Sequence, residues 1–155
     1  MLRAGLRLAR SGEGEKLSAL CLRAKAHWGY DADFMEKSRA TLRVEPQSIE
    51  AGRVVVATDM RDRPLGVYRL DIEGTTIDLG LLFVEPQAIG QGIGRLLFND
   101  AMRRAAGWGF AELTILADPH AAAFYEKMGA QRDSWRASDA IPGRRLPFYR
   151  CKLTR

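Results

Sequence analysis

Residues Glu85 to Phe98 read EPQAIGQGIGRLLF and set glycines at 90, 92 and 94. Ahead of them lies the apolar run TIDLGLLFV, Thr76 to Val84, which reads as a strand that Pro86 ends. Behind them Ile93, Leu97, Ala101 and Ala105 recur at helical spacing, with Arg95, Asn99 and Arg103 on another face. A strand, a glycine-rich turn and a helix N-terminus together make an anion site. The first-turn amides have no intrahelical acceptor, and missing side chains let a phosphate approach. The stretch therefore predicts a phosphate-bearing ligand.

Three readings of the loop compete. A Walker A loop needs Lys and then Ser or Thr after its last glycine, whereas Arg95 and Leu96 follow Gly94. A dinucleotide fingerprint needs its third glycine three positions after the second and an early strand, and here the run is G-x-G-x-G in mid-chain. Glycines serving only a tight strand-to-helix connection are the third reading, which the loop alone does not remove.

Outward from the loop, the coarse organisation is a strand in MLRAGLRLAR, a helix between Ser11 and Gly29, and a second helix capped by Asp31 and running to about Leu42. Pro46 and Gly52 are expected to break that pattern. RVVVATD and LGVYRLDI read as strands of a hairpin around MRDRP. AELTILA is the next strand, Asp118 and Pro119 start a helix that ends at Gly129, and QRDSWRA and LPFYRCKL close the chain as two strands around SDAIPGRR.

At 155 residues with 46% hydrophobic content, the chain fits one compact domain over residues 1–155. No apolar run reaches the roughly 18 residues needed to span a membrane, and Arg3, Arg7 and Arg10 interrupt the opening segment where a signal peptide needs an apolar stretch. Cys21 and Cys151 lack metal-ligand spacing, so free thiols in a reducing cytoplasm and no metal are expected. The net charge of +5 is confined to the end of the chain: Arg132 to Arg155 holds seven basic residues against two acidic. That segment has no long basic helix and no regular aromatic interleaving, which argues against a nucleic-acid partner and leaves a local basic pocket or a solvated surface.

The segment ADPHAAAFYEKMGA, Ala117 to Ala130, adds the deciding pattern. Together with VEPQAIGQGIGRLL it resembles the GNAT superfamily of acyl-CoA-dependent N-acetyltransferases, whose strand ending in V-x-P and G-x-G/A turn precede an Asn/Asp-x-x-Ala-x-x-Phe-Tyr-x-Lys-x-Gly helix. The resemblance is specific from Thr76 to Ala130. Ile89 departs from it, standing where the family usually has Arg or Gln, although Gln91 lies nearby.

The resemblance implies an α/β GNAT fold: a mixed, mostly antiparallel sheet with helices on both faces and a splay between the fourth and fifth strands. It implies acetyl-CoA as cosubstrate, with its pyrophosphate held by the backbone of Gly90, Gln91, Gly92, Ile93 and Gly94 beside Ile89 and Arg95. Phe83 and Val84 would meet the pantetheine and thioester, and Asp118 and Tyr125 would face the cofactor from their helix. Tyr125 matches the general acid, and Asp78 stands near the position of a base that works through water. The acceptor site would draw on His27, Trp28, Tyr30 and Arg144.

For His27 a helix cap, for Trp28 and Tyr30 a packing role, and for Arg144 a solvated guanidinium are competing readings. The expected acceptor is a small-molecule amine carrying an anionic group, with a peptide or protein amine, or a noncatalytic CoA-binding module, as alternatives. No nucleic acid or membrane surface is expected as a partner, and a homodimer is left open.

Overall fold

The computed structural model describes residues 3–154. Its strands are β1 (Gly5–Leu8), β2 (Val54–Thr58), β3 (Pro64–Glu73), β4 (Thr76–Val84), β5 (Glu112–Leu116), β6 (Gln131–Ala137) and β7 (Arg145–Lys152). Its helices are α1 (Gly14–Ala26), α2 (Ala32–Ser38), α3 (Pro46–Glu50), α4 (Ile93–Gly107) and α5 (Ala122–Lys127). The first two residues of the expected opening strand lie outside the described residues.

The strands form one seven-stranded sheet in the order β1-β2-β3-β4-β5-β7-β6. Every neighbouring pair is antiparallel except β4 and β5, which run parallel. Alternation along β2 feeds two cores. Val55 and Ala57 join Leu97, Phe98 and Ala101 of α4 on one face, while Val54 and Val56 join Leu17, Leu20 and Cys21 of α1 on the other. Cys21 and Cys151 are both free and buried, one in each core.

Two local features differ from the sequence reading. Pro46 was expected to break structure but opens α3, because a proline at the first helical position loses no intrahelical hydrogen bond. The second expected helix stops at Ser38, short of Leu42, and turns lead from it to α3. Asp31 does cap α2: its carboxylate accepts from the Phe34 amide at 2.8 Å.

β4 carries a bulge that the alternating pattern did not reveal. Leu70 pairs with Leu79 and Arg69 with Leu81, so Gly80 is the extra residue. The insertion switches the sides: Ile77 and Leu79 face the α4 core, Leu81 and Phe83 face the α1 core, and Leu82 and Val84 return to the α4 side. A Cβ at Gly80 would stand 2.0 Å from Asp71 Oδ2 and 2.7 Å from an Arg69 terminal nitrogen, so any other residue would push that ion pair aside.

Beyond the bulge β4 has no partner on its β5 side. The two strands share the single register pair Asp78↔Thr114, and β5 is otherwise taken by β7 from Glu112↔Lys152 to Leu116↔Phe148. The expected splay is therefore present, opening from Asp78 toward Val84 on one side and toward Asp118 on the other.

Candidate active site

The glycine loop holds its shape for two separate reasons. Gly90 and Gly92 have φ of 86° and 84°, a left-handed backbone that disfavours any side chain. Gly94 is helical, and there the constraint is distance: a Cβ would meet the Phe124 ring at 3.3 Å. Among the described residues, no backbone amide from Gly90 through Arg95 has an internal acceptor; the first such bond is Leu96 N–H to Gly92 O at 3.1 Å. These amides border a cavity of about 320 Å³ lined by Val84, Ile89, Gly92, Arg95, Phe124 and Lys127. Unpaired amides at the positive end of a 15-residue helix, with two cations beside them, fit a pyrophosphate.

Ile89 is exposed and lines this cavity without a polar group, whereas Gln91 is directed elsewhere, its side-chain amide donating to Gln87 O at 3.5 Å. Lys127 was not singled out from the sequence. Its signal was the Lys of the Phe-Tyr-x-Lys pattern, which falls on α5 beside the glycine loop. Phe124 and Met128, which pack against the α4 core, line this cavity too, and the buried residue of α5 is Tyr125 between them.

A second cavity, of about 510 Å³, fills the splay. Asp78 stands on the α1 face of the sheet and Tyr125 arrives from the α4 face, and both line it, together with Phe83, Trp28 and Arg144.

Asp78 is partly buried. Its Oδ1 accepts from Thr114 Oγ1 at 2.9 Å, and that hydroxyl lies 3.2 Å from Ile77 O. Burial pushes the Asp78 carboxyl up from 3.8 to about 6, against the lowering effect of the Thr114 hydrogen bond. At neutral pH it is ionised, yet it has no cation bonded to it and can accept a proton.

Tyr125 is only 5% exposed. The chain has four tyrosines, and three give their hydroxyls to carboxylates: Tyr30 to Asp118 at 2.8 Å, Tyr68 to Asp100 at 2.7 Å and Tyr149 to Glu126 at 2.6 Å. The Tyr125 hydroxyl has no protein partner among the described residues. Since no buried side-chain oxygen or nitrogen there is left unsatisfied, that hydroxyl must reach the open cavity. Burial first, then the negative charge of Asp78, raises its pKa, so it stays a proton donor across the working range.

The far wall is built around Asp118, whose side chain is buried and caps the 3-10 turn Pro119–Ala121 by accepting from the His120 amide at 2.8 Å. The same carboxylate takes the Tyr30 hydroxyl, lies 3.4 Å from Lys25 Nζ and 3.3 Å from an Arg144 terminal nitrogen. That Arg144 nitrogen also donates to Tyr30 Oη at 2.5 Å, and the guanidinium lies 4.7 Å from the Phe34 ring centre. Burial acts to raise the Asp118 carboxyl, but the hydrogen bonds from His120 and Tyr30 and the charge of Lys25 hold it below its ordinary value.

Asp118, expected to face the cofactor, lines the splay cavity, and its oxygens are bonded within this internal network. The two cations Lys25 and Arg144 both line the cavity and share this one carboxylate, and Asp139, on the same loop as Arg144, lines it too.

Trp28 lies over His120, with ring centroids 5.4 Å apart, and lines the cavity. Tyr30 sits behind the wall, and His27 is exposed as the C-cap residue of α1, its amide bonded to Arg23 O; neither lines the cavity.

A model of the acetyltransferase (GNAT) domain matches residues 11–138. The chain belongs to the GNAT family. It is an acetyl-CoA-dependent acetyltransferase, and the unpaired amides, the glycine cradle and the splay suit that cosubstrate. The peptidyl-lysine N-acetyltransferase YjaB of Salmonella typhimurium is 35% identical over 129 residues, covering 80% of this chain and 81% of that protein.

Solved structures agree on the GNAT fold. A GCN5-related N-acetyltransferase from Rhodopseudomonas palustris has a TM-score of 0.78 at 20% identity, covering 99% of this chain and 98% of that one. The PaiA N-acetyltransferase of Thermoplasma acidophilum, solved with coenzyme A, has a TM-score of 0.77 at 14% identity, covering 98% of this chain and all (100%) of that one. Among the described residues, no group of three or more His, Cys, Asp or Glu side chains could hold a metal, and no helix is long and apolar enough to cross a membrane.

Proposed function

We propose that this GNAT domain, acting as one unit over residues 1–155 in the cytoplasm, transfers an acetyl group to a primary amine that enters the splay cavity. The observation that carries the reading is the Tyr125 hydroxyl, the one tyrosine hydroxyl left unpaired among the described residues, in the same cavity as the partly buried Asp78 carboxylate. Bound acetyl-CoA supplies an activated acyl group and a thiolate leaving group. The backbone from Gly90 to Gly94, with Arg95 and Lys127 beside it, holds the pyrophosphate, and Phe83 and Val84 border the arm. Asp78, directly or through one water, takes the proton from the acceptor ammonium so that the nitrogen lone pair is available. As the nitrogen bonds to the acetyl carbon and the C–S bond breaks, Tyr125 places its proton on the sulfur and regains the second proton that the nitrogen sheds, a contact that matters most in the transition state.

The acceptor we favour is a small amine that also bears an anion. Its amine would lie toward Asp78 and its anionic group toward Lys25 and Arg144, so that each charged group of the acceptor meets an opposite charge. Arg144 uses one terminal nitrogen on Tyr30 and Asp118, which leaves the other edge of its fork for a carboxylate.

A second reading, acetylation of a peptide lysine, is supported by the function named for the relative that shares 35% identity. Incubation with acetyl-CoA and either a metabolite pool or a cell extract, followed by mass spectrometry of acetylated products, separates the two. Acetylated small amines support the first reading, and acetyl-lysine in proteins with no small product would replace it with the second.

A further inference from the structure

Asp78 does not stand alone on its face of the sheet. Its register partner across β3 and β4 is Asp71, so two carboxylates sit directly opposite each other, a cross-strand arrangement that ordinarily destabilises a sheet. Arg69, two positions along β3 on the same face, grips Asp71 with both edges of its fork, Nε to Oδ1 at 2.7 Å and a terminal nitrogen to Oδ2 at 2.8 Å. The other terminal nitrogen donates to Arg43 O at 2.9 Å, which anchors the guanidinium to the chain between α2 and α3. The pair lies over Gly80, the bulge residue, where the missing Cβ makes room for it. Arg69, Asp71 and Gly80 all line the acceptor cavity.

We propose that Asp71 and Arg69 form a balanced positioning pair for Asp78: Asp71 favours a proton on Asp78, Arg69 opposes it, and their bidentate contact fixes how much of each Asp78 feels. The inference rests on the reading of Asp78 as the base. Both charges act on the Asp78 carboxyl in these directions, Asp71 raising and Arg69 lowering, behind the larger effect of burial. The remaining groups near it are Thr114 on β5, which donates to it, and Tyr125 on α5, which is neutral. Around the rest of the cavity stand Lys25 on α1, Arg43 and Glu45 ahead of α3, Asp118 after β5, and Asp139 and Arg144 before β7. Arg43 lies 3.5 Å from Glu45, and Lys25 and Arg144 lie against Asp118, so Asp71 and Arg69 are the ionic partners closest to Asp78 along the sheet.

Loss of either member leaves the other uncompensated, so the two substitutions must act in opposite directions. Asp71→Asn leaves Arg69 unopposed and should lower the Asp78 titration by about 0.5 to 1 pH unit, the size expected for one charge a few ångströms away at a half-exposed site. Arg69→Met leaves Asp71 unopposed and should raise it by a similar amount. Two readouts are taken on each folded variant: the carbon-13 titration of the Asp78 side-chain carboxyl, and the acid limb of kcat/KM with an acceptor that stays an ammonium ion throughout the pH range. Opposite displacements of the carboxyl titration establish the pair. If the titration moves as expected while the kinetic limb stays put, the pair stands and Asp78 is not the base. A titration unmoved in both variants, or moved the same way by both, overturns the proposal; a merely structural ion pair would give that result.

Discussion

Asp78 and Thr114 are the one register pair that joins β4 to β5, and the Thr114 hydroxyl donates to the Asp78 carboxylate across that junction at 2.9 Å. The candidate base is thereby fixed at the apex of the splay, where the sheet closes. Its position also explains its raised proton affinity, because burial outweighs the single hydrogen bond that favours the ion.

A carboxyl raised from 3.8 to about 6 on folding is held at a cost once it ionises. Its contribution to stability is complete below about pH 4 and is lost as pH rises through about 6. At pH 7 the ionised form should cost about 3 kcal/mol. Asp78→Asn keeps an oxygen for Thr114 and removes that cost. It should be more stable than the parent by about 1 to 3 kcal/mol at pH 7, with the difference vanishing near pH 4, while turnover falls about 100-fold or more. Urea denaturation at both pH values together with turnover checks this; a variant less stable at pH 7 would contradict the assigned burial cost.

Gly92 has a positive φ with open space around it, so substitution acts through backbone strain and through obstruction of the phosphate cavity. Gly92→Val should cost about 1 to 2 kcal/mol of stability from the left-handed backbone alone. Calorimetric titration with coenzyme A should show affinity reduced tenfold or more in the folded variant. Unchanged affinity would remove the pyrophosphate from the Gly90 to Gly94 loop.

Arg144→Ala distinguishes an anion subsite from a purely structural role. With an amine acceptor bearing a carboxylate, KM should rise about 10- to 100-fold with little change in kcat, as expected for a charge-assisted contact worth about 1.5 to 3 kcal/mol in both ground and transition states. With the amide analogue of the same acceptor, KM should hardly change. An equal rise for both acceptors would mean that Arg144 serves only to tie Asp118 and Tyr30 into the wall.

Much of this arrangement is legible in the sequence because local patterns dictate it. The strand TIDLGLLFV ends at Val84 as its apolar run ends, Asp31 and Asp118 cap the turns that their positions suggest, and the face of Ile93, Leu97, Ala101 and Ala105 is the buried one. What stays hidden depends on register and on distant partners. The Gly80 bulge cannot be seen without knowing that Leu70 pairs with Leu79 and Arg69 with Leu81, and the opposition of Asp71 to Asp78 follows from the same pairing. Likewise Asp118 and Tyr30 lie 88 residues apart, so nothing local announces that the carboxylate is spent on the wall.

Tyr125→Phe tests the central claim most directly, because it removes one hydroxyl that touches no other protein group among the described residues. Acetyl transfer to a responsive amine and the dissociation constant for acetyl-CoA are measured on the same preparation. Turnover should fall about 100-fold or more, with affinity for acetyl-CoA within a factor of two or three, since the hydroxyl acts chiefly when charge develops on sulfur. Full turnover in the variant, or a fall in turnover matched by an equal loss of affinity, would contradict the assignment of Tyr125 as the acid.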